Sequence, residues 1–260
     1  MNQDVNRKLA VVVLAAGKGT RMNDPTKAKV MYPVLGKPMV YYVMKVAYRL
    51  GADDVVPVVG YMRDAVMEFL KSEFPNAVPA IQAEQLGTGH AVMQTESILT
   101  GFDGDVLVLS GDAPLLTTET LKRLLLHHRS ARAVATVLTA MLDDPTGYGR
   151  VMRHADGAVE KIVEHKDATE QERRVREINS GIYVFDTKML FESLRHITPH
   201  NVQKEYYLTD VFDFFWKHHL RVSALEAPHP DEIRGINTVE QLAEAEKILS
   251  RRTADVPTPI

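Results

Sequence analysis

The run Leu9-Ala-Val-Val-Val-Leu14 contains no polar residue, and it feeds directly into a glycine-bearing loop. A strand with one wet face alternates apolar and polar side chains. An uninterrupted apolar run has to be covered on both faces, which is the habit of an inner strand in a parallel sheet clothed by helices. The same texture returns at Val55 to Val59 and Val106 to Leu109. Between these runs lie segments with helical apolar spacing. Met39 to Leu50 carries Met39, Val43, Val46, Ala47 and Leu50 and is closed by Gly51. Ala65 to Leu70 and Gly89 to Leu99 read the same way, and Val78 to Ile81 reads as a short strand.

Strand and helix alternating through short loops imply βαβ units. The fold class expected is therefore α/β: a Rossmann-like open, mainly parallel sheet with helices on both faces and a small β-rich lobe. Thr118 to His128 continues the pattern as a helix and Val134 to Thr139 as a strand. The rhythm loosens after Pro145. Val151 to Glu164 reads as paired strands about an Asp156-Gly157 turn, and 168–176 as a charged, exposed segment. Ile182 to Phe185 resumes the sheet, followed by helices near 187–195 and 207–217 and a strand near 221–225. Thr238-Val-Glu-Gln241 is a capping-box signature opening a helix with Val239, Leu242, Ala245 and Leu249 on one stripe. No linker separates independent units, so 1–252 is expected to form one domain. Its parts are about 1–140, a second part about 141–236 and a closing helix about 238–252, with a disordered tail over 253–260.

Composition excludes several chemistries. The chain has 260 residues and no cysteine, so disulfides, zinc-thiolate sites and cysteine nucleophiles are absent. A net charge of −3 argues against a general nucleic-acid binder but leaves room for a local basic pocket. The first apolar run is too short to span a bilayer and its flanks do not suit a signal peptide, so a cytoplasmic location is the default expectation.

The residues with chemical potential cluster after the strands. Leu14-Ala-Ala-Gly-Lys-Gly-Thr-Arg-Met22 follows the first one. Gly17 and Gly19 let the backbone approach a phosphate, and Arg21 can fork onto two oxygens. The spacing is neither that of a Walker A loop nor that of a dinucleotide fingerprint. Lys27, Lys29 and Lys37 follow. Any one of them alone would usually be a solvated lysine, but a triphosphate needs several positive partners. In Gln82-Ala-Glu-Gln-Leu-Gly-Thr-Gly-His-Ala91, Gln82 and Gln85 offer donors and acceptors suited to a base edge. The plain alternative is a helix start with Thr88 as its cap and His90 as a packed residue. Asp112, in Ser110-Gly-Asp-Ala-Pro114, stands at a strand's carboxyl end, where a metal-binding carboxylate or a turn Asp would each fit. Asn237 is a possible second oxygen ligand.

Together these segments resemble the sugar-phosphate nucleotidyltransferases. They are closest to the uridylyltransferase half of bacterial N-acetylglucosamine-1-phosphate uridylyltransferases. The resemblance runs from about Leu9 to Leu249. Its most specific parts are Gln85 to Ala91, Asp144-Pro-Thr-Gly-Tyr-Gly-Arg150 and Glu164-His-Lys-Asp-Ala-Thr169, with Glu177-Ile-Asn-Ser-Gly181, Glu205-Tyr-Tyr-Leu-Thr-Asp210 and Gly235-Ile-Asn237 in family order. It implies that Arg21 and Lys29 are the catalytic cations. It further implies that Leu14, Ala16, Gly17, Gly19, Gln82, Gln85, Gly87, Thr88 and Gly111 bind the nucleotide. Gly149, Glu164, Asn179 and Thr209 would hold the sugar phosphate, and Asp112 and Asn237 would ligate Mg²⁺. Two departures stand out. Ala28 replaces the usual proline before the loop lysine, and the loop from Arg21 to Gly36 is one residue longer. Counting back from Gly36 selects Lys29, with Lys27 as the alternative.

The reaction so implied joins UTP to N-acetylglucosamine 1-phosphate, giving UDP-N-acetylglucosamine and pyrophosphate. No general base is needed, because a phosphate monoester has its second pKa near ~6 and is already largely dianionic. Uridylyl or cytidylyl transfer to another sugar or alcohol phosphate is the nearest rival, and a catalytically silent nucleotide-sugar binder is a rival of another class. The bifunctional relatives continue into hexapeptide repeats. None follows here, so acetyl transfer is not expected.

Overall fold

The structure is a computed structural model that describes residues 7–19, 22 and 26–254. Among them the first strand, β1 (Lys8–Ala15), is the axis of the molecule. It pairs in parallel with β4 (Asp54–Val59) on one side and with β6 (Gly104–Ser110) on the other. The two-residue β5 (Ala80–Ile81) extends the sheet beyond β4. The uninterrupted apolar run has its physical cause in two helical layers. Leu9, Val11 and Val13 face a core with Val40, Val43 and Met44 of α1 (Met39–Arg49), Val66 and Leu70 of α2 (Arg63–Glu73), and Leu121 and Leu124 of α4 (Thr118–Ala131). Ala10 and Val12 face the opposite core. That core holds Ala91 of α3 (Thr88–Met93), Leu190 of α6 (Thr187–Leu194) and Phe212 of α7 (Asp210–Lys217). Successive residues of a strand point to opposite faces, so both sets must be apolar.

Among the described residues, the far half of the sheet contains the one reversed strand of its main path. The order is β11 (Val222–Glu226), β7 (Ala135–Met141), β10 (Glu177–Asp186), β6, β1, β4, β5. β10 runs antiparallel to both β6 and β7, while β11 is parallel to β7. The reason lies in the connection. The chain leaves β7 at Met141, makes the hairpin β8 (Arg150–Arg153) and β9 (Val159–Val163), and re-enters opposite the residue it left, with Glu177 paired to Met141. A chain that returns at the carboxyl edge can only run back down the sheet. This excursion therefore lies at the edge where ligands bind in open α/β sheets.

Several expectations shift. The hairpin turns at Asp156-Gly157 as read, with the Ala158 amide held by the Asp156 carboxylate at 2.9 Å. The helix read over Gly89 to Leu99 stops at Met93. The chain then tightens into turns whose amides reach three residues back, and the buried Thr95 hydroxyl takes the Val92 carbonyl at 2.7 Å. The segment 168–176 contains a short helix, α5 (Glu170–Arg173), with a complete capping box between Thr169 and Glu172 and a buried Ala168. The structure adds a small hairpin of β2 (Pro33–Val34) and β3 (Lys37–Pro38), strands too short to leave an apolar pattern. The Thr238–Gln241 capping box is present and opens α8 (Val239–Ala254). This helix closes a third, smaller core with Val34, Met39, Leu115 and Ile236. It carries two residues of the expected tail, and 255–260 lie outside the described residues. Among the described residues no helix is long and apolar enough to cross a membrane.

Candidate active site

A cleft of about 550 Å³ opens at the carboxyl ends of β1, β5 and β6. Leu14, Ala16, Gly17, Gly19, Gln82, Gln85, Gly87 and Thr88 all line it, as do Lys29, Asp112 and Asn237. Three strand-to-loop junctions meet here because β1 lies beside β6 on one side and is joined to β5 through β4 on the other, with their carboxyl ends at one edge. Gly111 stands behind the wall. Its amide is spent on the Leu14 carbonyl at 2.9 Å, and a Cβ there would meet that oxygen at 2.8 Å.

The centre of the cleft is polar and tightly organised. The Lys29 ammonium forms an ion pair with the Asp112 carboxylate and donates to Asn237 Oδ1 at 2.7 Å. Lys29 can come this far in because Gly19 has φ +65 and no side chain; a Cβ there would lie 2.5 Å from Lys29 Cβ. Asn237 is held by its own turn, its Nδ2 donating to the Gly235 carbonyl at 3.0 Å and its amide to Gln241 Oε1 at 2.7 Å. The helix cap of α8 thus also orients a cleft residue. Two side-chain oxygens converge on one positive charge, which is the donor set a hard divalent cation would use.

On the opposite wall Gln82 is buried, with Nε2 donating to the Gly87 carbonyl at 3.0 Å. Gln85 donates to the Gln82 backbone carbonyl at 3.1 Å. Gly87 adopts φ +112, and a Cβ there would strike the Tyr206 carbonyl oxygen at 2.5 Å. Thr88 is the first residue of α3 rather than its cap. Its hydroxyl accepts the Leu208 amide at 3.0 Å, because the neighbouring 205–208 segment offers a donor and the helix start does not use it.

Gly149, Glu164, Asn179 and Thr209 also come together, beside the cleft. Thr209 Oγ1 donates to Glu164 Oε1 at 3.2 Å, and the Asn179 amide donates to the Gly149 carbonyl at 2.9 Å. A Cβ on Gly149 would stand 3.4 Å from Glu164 Oε1 and 3.3 Å from Asn179 Cβ. Gly181, two residues after Asn179, lies against the Ser110 hydroxyl of the cleft wall. Glu164 and Thr209 line an adjoining hollow with Asp167, Asp210 and Asp213. Burial pushes the Glu164 carboxyl up, the Thr209 hydrogen bond opposes this, and Asp167 and Glu205 add to it. Asp210 is pushed up to about 6 by burial first and then by Glu164, Asp213 and Asp167.

The remaining cations separate cleanly. Arg21 lies outside the described residues. Lys27 is exposed, with its ammonium 5.5 Å from the Tyr32 ring centroid. Lys37 pairs with Glu73 at 3.1 Å on the surface. Lys18, Ser110 and Glu205 line the cleft although the sequence reading did not select them. Lys18 sits inside the glycine loop and Glu205 inside a segment already noted, so position in those segments was the available signal.

Residues 10–229 match the family model described as Nucleotidyl transferase. Over 245 residues the chain is 51% identical to the "Bifunctional protein GlmU" of Geobacillus thermodenitrificans (strain NG80-2), covering 94% of this chain and 52% of that protein. The like-named proteins of Halalkalibacterium halodurans and Bacillus cereus (strain AH187) are 47% and 49% identical, each over 93% of this chain and 52% of theirs. The chain thus spans about half the length of these relatives. Among solved structures, a UDP-glucose pyrophosphorylase complexed with UDP-glucose superposes with a TM-score of 0.73 at 18% identity, covering 94% of this chain and 99% of that one. An apo UDP-glucose pyrophosphorylase gives 0.76 at 18% identity, over 95% and 99%. At that identity the likeness concerns the fold.

Proposed function

Because the chain belongs to the nucleotidyl transferase family, we propose that it joins UTP to N-acetylglucosamine 1-phosphate, forming UDP-N-acetylglucosamine and releasing pyrophosphate. The observation that carries this reading is the convergence of Lys29, Asp112 and Asn237 in a cleft floored by the glycine loop. High identity to the GlmU proteins across most of the chain supports the choice of substrates.

In this reading a phosphate oxygen of the sugar phosphate attacks the α-phosphorus of UTP, and the bond to the β-phosphate oxygen breaks in line. The nucleophile is already ionised, so the chain's residues position the groups and neutralise charge rather than move a proton. The Gly17 to Gly19 backbone takes the phosphates, and Arg21 and Lys29 stabilise charge developing toward pyrophosphate. Gln82 and Gln85 hold the base; Gly149, Glu164, Asn179 and Thr209 hold the sugar. Asp112 and Asn237 would hold Mg²⁺, which would supply neutralisation of phosphate charge. These residues fit a cation: the Lys29 ammonium rests between the same two oxygens, and would yield that place to the metal and turn to the phosphates. Among the described residues no group of three or more carboxylates or histidines could hold a metal alone. Phosphate oxygens would complete its shell, as is usual for magnesium at phosphoryl-transfer sites.

Pyrophosphate release measured with four nucleoside triphosphates and several sugar phosphates, with and without Mg²⁺, tests the proposal. UTP with N-acetylglucosamine 1-phosphate should give the highest specificity constant, and only with the metal. Asp112→Ala should lower turnover about a thousandfold with the fold intact. Near-normal metal-dependent turnover in this variant would sink the metal assignment, and a preference for another sugar phosphate would sink the substrate.

A further inference from the structure

Gln82 is held at both hydrogens of its side-chain amide. Nε2 lies 3.0 Å from the Gly87 carbonyl oxygen and 3.1 Å from His90 Nδ1. A carbonyl oxygen can only accept, so the contact with Gly87 identifies which end of the amide is nitrogen. The remaining hydrogen meets Nδ1, which must then be an acceptor, so His90 carries its proton on Nε2. With both hydrogens spent inside the protein, Gln82 can offer a ligand in the cleft only its acceptor, Oε1.

The two anchors are themselves fixed. Gly87 is pressed against Tyr206, whose carbonyl accepts the Gly89 amide at 2.8 Å and whose amide donates to the Leu86 carbonyl at 2.8 Å. His90 is half-buried on α3, its ring 6.3 Å from that of Tyr206. With Gly87 as sole anchor, the Gln82 amide could pivot about a single hydrogen bond. The second anchor removes that freedom.

Resting on the reading that the cleft takes UTP, we propose that His90 is a positioning residue for nucleobase choice, acting through Gln82. By accepting the second amide hydrogen it holds Gln82 Oε1 as an acceptor facing ring position 3 of the pyrimidine. Uracil presents N3–H there, whereas cytosine presents a lone pair that would face the oxygen unpaired. A buried polar group left without its partner is the strongest discriminator a binding site has. His90 does not touch the base.

The test compares wild type, His90→Ala and His90→Asn with UTP and CTP in steady-state kinetics, alongside thermal unfolding. An asparagine amide can present its oxygen near the place of Nδ1 and so restore an acceptor. The ratio of kcat/KM for UTP to that for CTP should fall about tenfold in His90→Ala. KM for UTP should rise more than kcat falls, and His90→Asn should keep most of the ratio. An unchanged ratio in His90→Ala overturns the proposal. Equal weakening of both nucleotides with a lowered Tm also overturns it, by reducing His90 to packing. So does a His90→Asn variant as unselective as the alanine one. Failure of the underlying UTP reading is distinguishable, because it would appear in the wild type as no preference between the two nucleotides.

Discussion

Lys29 and Lys27 stand two residues apart and have opposite surroundings. Lys29 keeps 12% of its side chain exposed and meets Asp112 and Asn237, whereas Lys27 is exposed beside Tyr32. With Mg²⁺ in its place between Asp112 and Asn237, the Lys29 ammonium would still stand on a largely buried stem lining the cleft, and so would lose less conformational freedom on meeting a phosphate than one on a solvated stem. Lys29→Ala should therefore lower kcat by about two orders of magnitude, the scale of losing one charge-stabilising donor. Lys27→Ala should change it little, as for an ordinary surface lysine. Steady-state kinetics of the two variants decide the matter, and a crippled Lys27→Ala enzyme beside a near-normal Lys29→Ala one would reverse the assignment. The sequence offered both lysines, because counting forward from Arg21 and back from Gly36 disagree by one residue. Only the fold's pairing with Asp112 and Asn237 separates them.

At the scale of elements, the first turn of α7 faces the end of β9 and the loop after it. Asp210 shares the resulting hollow with Glu164, Asp167 and Asp213. Burial and these neighbours raise Asp210 from 3.8 to about 6. A carboxyl whose folded pKa is raised favours the fold while it can stay protonated. Its contribution is complete below the unfolded value and is lost as pH rises through about 6. Asp210→Asn removes that titration while keeping the shape. Its Tm should exceed that of the wild type by roughly 2–4 °C at pH 8, and the gap should shrink toward pH 4. A Tm difference independent of pH would show that Asp210 stays ionised throughout. The strand and helix themselves were legible from apolar spacing, but the facing of their acidic ends was not. Charge spacing along one segment says nothing about which segment lies opposite.

Across the whole molecule, the end of the sheet away from the cleft is tied by charge. Asp105, fully buried on β6, meets Arg7 at 3.1 Å and Arg129 of α4 at 2.7 Å, and Arg7 also pairs with Asp186 of β10. His128 lies beside them, its Nε2 3.7 Å from Asp105 and its Nδ1 2.8 Å from the Thr136 hydroxyl of β7. Burial lowers His128 to about 4, with Asp105 opposing and Arg7 and Arg129 assisting. A histidine held neutral in the fold contributes its stability above the ordinary 6.5, and that contribution is lost as pH falls from there toward about 4. The loss amounts to about 3 kcal/mol at most. Denaturant unfolding should show this decline between pH 7 and pH 4. His128→Asn should flatten it while starting from a lower stability at pH 8, where the buried contact with Thr136 is weakened. A decline of equal size in the variant would place the acid sensitivity elsewhere.

Short-range physics writes part of this protein into neighbouring residues. Leu9 to Leu14 announces a strand covered on both faces because every residue must be apolar for that to work. Gly17 and Gly19 mark a loop that lets something approach, and Thr238 to Gln241 marks a helix start. Family order added the names of distant partners without their distances. It took the folded arrangement to bring Lys29 against residues 83 and 208 positions further along. The same arrangement alone decided that β10 runs backward, and that Gln82 is clamped between Gly87 and His90. These are contacts between elements, set by which strands lie side by side and where an excursion re-enters the sheet. A residue's immediate neighbours constrain its own conformation, but the partner brought across the sheet depends on the closure of the whole chain.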